Sequence, residues 1–228
     1  MKKGIICALA WLFCSCGALL AGYYLYKALS SHIEPIGGAM LCVCAFLCAF
    51  FAALCAARVR PQRRKAFLCA SLWVGLILYI VMLGELVFFN PVFRRAPADG
   101  VPWSLRAVFT DAGLNLMPLY TIRNMFTKWQ AGRISGAAFL YNIFGNLAAF
   151  MPFAFFLPLL FRAQRKFRVF VLTVALIVLT VELVQLFSMC GMFDIDDFLL
   201  NIPGALAFYG FLRILPIRRV LFRLFPTE

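Results

Sequence analysis

Long apolar runs separated by short polar clusters set the pattern of this chain. Six stretches approach the roughly 20 apolar residues that an α-helix needs to cross a bilayer: about 4–29, 36–57, 66–89, 137–161, 169–190 and 198–215. In hydrocarbon the backbone must satisfy its own hydrogen bonds, so each run is expected as a helix. The last run is short and contains Pro203, which removes a backbone donor. The long connection at about 90–136 has a pattern of its own. Leu114, Met117, Ile122, Met125, Phe126 and Trp129 recur at near-helical spacing, interrupted by Arg123, Lys128 and Arg133. A helix lying in the membrane interface would bury that apolar face and keep the charges wet. The expected fold class is therefore an all-α polytopic integral membrane protein, with about six transmembrane helices plus an outer interfacial helix.

Composition agrees. Of 228 residues 64% are hydrophobic and 14% charged, with a mean hydropathy of +0.93; soluble domains hold about 45–50% apolar and about 25% charged residues. A soluble enzyme of this size would lack the polar surface to cover itself. Disorder and a secreted disulfide scaffold are disfavoured on the same grounds.

The net charge of +13 falls in clusters between the apolar runs. Lys2 and Lys3, Arg58 to Lys65, Arg162 to Arg168, and Arg213 to Arg223 all fall on one side. By the positive-inside rule both termini are expected in the cytoplasm of a multi-pass cell-membrane protein. Glu34, Asp99, Asp111, Asp194, Asp196 and Asp197 fall on the opposite, outer side, while Glu228 lies inside. No basic groove with base-stacking aromatics accompanies the charge, so a nucleic-acid partner is not expected; membrane lipid is. The apolar run after Lys3 is longer than a signal-peptide core and no clear cleavage site follows it, so an uncleaved first helix is expected.

Nine cysteines cannot all pair within one chain. Most lie in apolar runs, where a thiol packs as a small hydrophobe. The Cys14/Cys16 and Cys42/Cys44 pairs lack the neighbours of a metal site. Cys190, near a membrane boundary, is the thiol to test for reactivity.

Polar groups inside the apolar runs carry the information, because each is costly there. Glu182 is eight residues before Cys190, about 12 Å below the outer end of its span at 1.5 Å per residue. Gln185 follows on the same face. Asn146, with Asn142 one turn above it, reaches a similar depth from the neighbouring antiparallel span; Glu85 and Asn201 lie slightly higher. Glu182 is expected to face the bundle, there to accept hydrogen bonds from the Asn146 and Gln185 amides or to carry a proton. Three readings stand side by side: helix–helix hydrogen bonds, an outward-facing ligand cavity, and a proton relay. Asp194, Asp196 and Asp197 stand at the outer mouth. They repel one another unless donors, water or a cation intervene, and one of them can cap the following helix. A divalent cation at Asp194, Asp196 and Asp197 is the weaker alternative; no metal and no cofactor is expected. His32 is the only histidine, which excludes a histidine triad or a multi-histidine zinc site. Neither a P-loop nor a GxGxxG fingerprint is present.

Three blocks then resemble the VanZ-like family, named for a protein linked to resistance to the glycopeptide teicoplanin. The first is Asn115-Leu116-Met117-Pro118-Leu119-Tyr120-Thr121-Ile122. The second runs from Asn142-Ile143-Phe144-Gly145-Asn146 through Phe150, Pro152, Leu157 and Pro158. The third joins Glu182 and Gln185 to Phe193-Asp194-Ile195-Asp196-Asp197, Asn201, Gly204 and Tyr209. Gly191 stands where members of that family often carry an arginine, Ala154 and Phe208 where they carry glycines. Arg123 is the candidate substitute for the missing arginine.

The resemblance implies three segments. Residues 1–110 form an N-terminal transmembrane region of three helices and the start of the outer connection. Residues 111–212 form the VanZ-like domain, and 213–228 a basic cytoplasmic tail. It also implies a role in the cell envelope, such as limiting a teicoplanin-type antibiotic, but supplies no reaction. The polar cluster expected to bind an amphiphile (a lipid, a lipid-linked wall precursor or a lipoglycopeptide) comprises Asn115, Pro118, Arg123, Asn142, Asn146, Glu182, Gln185, Asp194, Asp196, Asp197 and Asn201. Two other functions remain open: a membrane enzyme using outer-leaflet carboxylates on a lipid-linked substrate, and a proton-coupled transporter, against which stands the lack of an internal repeat.

Overall fold

The computed structural model describes residues 2–30, 35–89 and 113–214, with isolated positions at 104, 106, 108, 109, 216 and 219. Glu34, His32, Asp99, Asp111 and Glu228, most of the connection at 90–112, and most of the basic tail lie outside the described residues. Among the described residues six helices are long and apolar enough to cross a membrane: Lys3–Lys27, Gly37–Val59, Pro61–Phe89, Gly136–Leu160, Phe167–Phe187 and Ile195–Leu212. The chain forms two compact units, one of residues 1–90, 156–162 and 215–228, the other of 91–155 and 163–214.

In the first unit α1 (Lys2–Ser30) and α2 (Pro35–Val59) run antiparallel. Fully buried Tyr24 clusters with Cys42 and Ala45, and the Phe13 and Phe51 rings lie 5.6 Å apart. Between those levels a Cβ on Gly17 would sit 3.2 Å from Cys48 Cβ, so the two backbones approach closely where the side chains are small. A single 3₁₀ turn at Pro61–Arg63 leads into α3 (Arg64–Gly84). Leu68, Leu72, Leu76, Tyr79 and Leu83 are buried along one face of α3, the stripe a helical period dictates. Gly75 leaves room on that face for the rings of Phe46 and Phe156, which meet edge to face at 5.5 Å. α3 ends in a π-helical turn, Glu85–Phe89.

The second unit carries most of the buried polar residues among those described. Its elements are β1 (Leu114–Asn115), α4 (Tyr120–Gln130), α5 (Gly136–Ala149), the start of α6 (Met151–Leu160), α7 (Phe167–Phe187), β2 (Phe193–Asp194) and α8 (Ile195–Leu212). Ser135 caps α5, its hydroxyl accepting from the Ala138 N–H at 3.1 Å. Trp129 and Phe126 of α4 both pack on Phe139 of α5, with ring centroids 5.4 and 6.0 Å away, so apolar ring contacts hold the amphipathic helix against α5. A break at Phe150, two residues before Pro152, separates α5 from α6 within one membrane-length run. α7 buries Phe170, Val174, Val178, Glu182 and Leu186 along one stripe. At the end of α8 the Tyr209 ring stacks on Phe170 at 4.2 Å. Its hydroxyl donates to the Arg165 carbonyl at 2.9 Å, while the Arg213 guanidinium lies 4.4 Å above the ring centre.

Three helices differ from the sequence pattern at a boundary; α7 ends at Phe187 rather than 190. The amphipathic helix starts at Tyr120 rather than near Gly113, because 114–115 are spent in a strand and Leu119 takes a left-handed conformation with φ 64°. The last helix starts at Ile195 rather than 198 and continues through Pro203. Asp196 and Asp197 are thus first-turn residues, and the single donor that proline removes does not end the helix.

Candidate functional site

The site is assembled by a two-residue parallel pairing of β1 with β2, Leu114 opposite Phe193 and Asn115 opposite Asp194. Gly113, with φ 88°, turns the chain into this pairing, and its carbonyl accepts from the Phe193 N–H at 3.2 Å. After α7 the chain folds back on the helix end. The N–H groups of Cys190 and Gly191 both donate to the Gln185 carbonyl, at 3.0 and 3.2 Å, and Met189 adopts φ 53°. This return draws Asp194 down onto α7, where its N–H donates to Glu182 Oε2 at 3.1 Å. The acidic stretch is thereby tied to α7. It sits on Glu182, five residues before the end of α7.

Among the described residues Asp194 and Asp196 are the most deeply buried carboxylates, 0% and 1% exposed. Buried charge demands donors, and these come from distant sequence. Asp194 Oδ1 accepts from Asn115 Nδ2 at 2.8 Å and from the Asp196 N–H at 3.0 Å, capping α8. Its Oδ2 accepts from the Thr121 hydroxyl at 2.5 Å. Asn115 Nδ2 also donates to Thr121 Oγ1 at 3.0 Å, and Asn115 Oδ1 accepts from the Met117 N–H at 3.3 Å. Asp196 reaches the next element: its Oδ1 accepts from the Leu119 N–H and its Oδ2 from the Ile122 N–H at 3.1 Å. Those are otherwise orphaned donors at the start of α4, where a negative charge also meets the positive end of the helix dipole. Asp197 faces a different helix, accepting from Asn146 Nδ2 of α5 at 2.6 Å. The three aspartates thus diverge to β1 and α4, to the α4 start, and to α5. Among the described residues no three His, Cys, Asp or Glu side chains converge as metal ligands would, so the cation alternative at Asp194, Asp196 and Asp197 finds no cage.

α8 approaches α5 at glycine. A Cβ on Gly204 would lie 1.8 Å from the Leu147 carbonyl oxygen, so only a residue without one lets these backbones meet. Asn201, one turn earlier on that face, is 4% exposed, and its Oδ1 has no donor among the described residues.

The remaining sequence candidates lie around this network. Gln185 is half-buried against Gly191, where a Cβ would sit 3.2 Å from its side chain. Asn142 is half-buried one turn before Asn146, and Pro118 is exposed in the loop entering α4. Arg123 is exposed on α4 and its guanidinium makes no hydrogen bond to the network. Cys190 is half-buried, with its thiol 3.6 Å from the Ser188 carbonyl. Glu85 belongs to the other unit. Thr121 and the backbone donors of Leu119 and Ile122 also belong to the network, although they lie in the connection and not in an apolar run. The one signal for them was their place in the Asn115–Ile122 block.

A family model described as VanZ/LLP1 matches residues 76–216, which include every element of this network. No curated protein and no solved structure matches the chain.

Proposed function

The chain belongs to the VanZ/LLP1 family, and from that premise we propose that its polar network forms the floor of an outward-facing site for an amphiphile of the cell envelope. The observation that carries this reading is the Leu116–Tyr120 loop. Leu116, Met117, Leu119 and Tyr120 are all more than half exposed, yet the loop is tied to the buried carboxylates through the Leu119 N–H and Asp196. An apolar projection fixed on a polar base suits a molecule with an acyl chain and a hydrogen-bonding head. Asn201 adds a buried acceptor that a hydroxyl or ammonium of such a ligand would satisfy. A lipid, a lipid-linked wall precursor and a lipoglycopeptide share that chemistry, and limiting the action of a teicoplanin-type antibiotic is the envelope role it would support. The orientation with both termini in the cytoplasm, read from the basic clusters, belongs to the same proposal.

Asp194 and Asp196 accept bonds from the chain itself, which favours a scaffold over general acid–base work by these two groups. The test compares Asn201→Leu and Leu116→Ser/Met117→Ser variants with the unaltered protein at matched membrane levels. Binding of a fluorescent lipoglycopeptide and of a lipid-linked wall precursor should fall several-fold in both. Unchanged binding and unchanged drug susceptibility in both would remove the proposal.

A further inference from the structure

We propose that the first unit holds a second, separate site, one for an anionic phospholipid, in a groove between the beginning of α1 and the end of α2. The groove has a volume of about 400 Å³, in the range of small-ligand sites. Its walls are small: Cys7 and Cys14 on α1 face Ala53 and Ala56 on α2, with Trp11 and Phe67 beside them. The antiparallel pairing that sets Phe13 against Phe51 places these short side chains opposite one another and leaves a slot. Its lining is apolar apart from Arg60, and the shape suits an acyl chain.

Arg60 decides the headgroup. Its backbone is held on both sides, its N–H donating to the Ala56 carbonyl at 2.9 Å and its carbonyl accepting from the Arg63 N–H at 3.0 Å. Pro61 then opens the 3₁₀ turn. The side chain is exposed and its guanidinium suits a phosphate, which it can bind with two parallel hydrogen bonds. No counter-ion is available nearby in sequence: the chain has no acidic residue from Pro35 to Gly84, while Arg58, Arg60, Arg63, Arg64 and Lys65 follow within eight positions. A negative group must come from outside the segment. Basic clusters at the end of a membrane helix meet the anionic leaflet, so an apolar slot ending in this arginine fits a phospholipid with net negative charge.

Trp11, 74% exposed, reports on the groove. In the full chain with Trp73, Trp103 and Trp129 changed to Phe, Trp11 fluorescence is measured in phosphatidylcholine vesicles containing a minor fraction of brominated phosphatidylglycerol or brominated phosphatidylcholine. Quenching by the anionic lipid should exceed that by the neutral lipid about threefold or more at equal mole fraction. Arg60→Gln should abolish the preference, Arg60→Lys should retain part of it, and Arg64→Gln, outside the groove, should leave it. Since Arg60→Gln touches the turn as well as the charge, Ala56→Leu supplies a second arm: filling the slot should weaken quenching by the anionic lipid. Equal quenching by both lipids would overturn the proposal. So would equal losses in Arg60→Gln and Arg64→Gln, which would assign the preference to surface potential. Neither result depends on the polar network of the second unit.

Discussion

Asn146 of α5 donates to Asp197 of α8 at 2.6 Å across 51 residues of sequence. Membrane hydrogen bonds between helices average about 0.6 kcal/mol and reach about 1.7; a charged acceptor belongs at the upper end. A double-mutant cycle of Asn146→Ala and Asp197→Ala, read by reversible unfolding in mixed micelles, should give a coupling of about 1.5 kcal/mol. Additive single losses would show that the two side chains do not support each other.

Asp196 should anchor α4. Removing its carboxylate leaves the Leu119 and Ile122 N–H groups without their acceptor, a loss of about 1–3 kcal/mol locally. In Asp196→Ala, hydrogen exchange at residues 119–123 should therefore accelerate about 10- to 100-fold, with α7 unchanged. Asp196→Asn keeps one acceptor oxygen and should fall between.

Asp194 ties β1, α4 and α8 together, so its loss should be felt more widely. Asp194→Ala removes the α8 cap and the acceptor for both Asn115 and Thr121, and should lower stability by about 2–4 kcal/mol. Asp194→Asn can still cap the helix but faces donors with a further donor. A partial rescue, seen as a thermal midpoint between Asp194→Ala and the unaltered protein, is the expected result.

The Asp194 and Asp196 bonds also mark how far the sequence could be read. Glu182 and Asn146 stand out as intramembrane polar residues, and their similar depth follows from counting along two helices. Their partners do not follow. Asn146, expected as a donor to Glu182, donates instead to Asp197, and the Asp194 N–H donates to Glu182. The reason is the return of residues 188–193 onto the Gln185 carbonyl. A non-glycine residue at φ 53° inside that return leaves no clear trace in composition.

Gly204 sets the closest backbone approach. Gly204→Ala places a Cβ against the Leu147 carbonyl oxygen and must push α5 and α8 apart; overpacking of this kind costs about 1–3 kcal/mol or more. Gly210→Ala on the same helix meets nothing within 4 Å and should stabilise by about 0.5–1 kcal/mol through helix propensity. Yields of folded protein in detergent should separate the two variants, and equal behaviour would contradict the close contact.

The sequence by itself determined the solvent and the element type. Runs of about 20 apolar residues exclude exposed backbone, so six membrane-length helices and one amphipathic helix follow from local pattern alone. Only the tertiary structure decided which polar groups meet. Asn115, Thr121, Glu182 and Asp194 come together through a two-residue strand pairing and a chain reversal, and Asp197 reaches Asn146 because Gly204 lets α8 lie against α5. Those contacts span 12 to 79 residues, and no local periodicity records a partner at that distance.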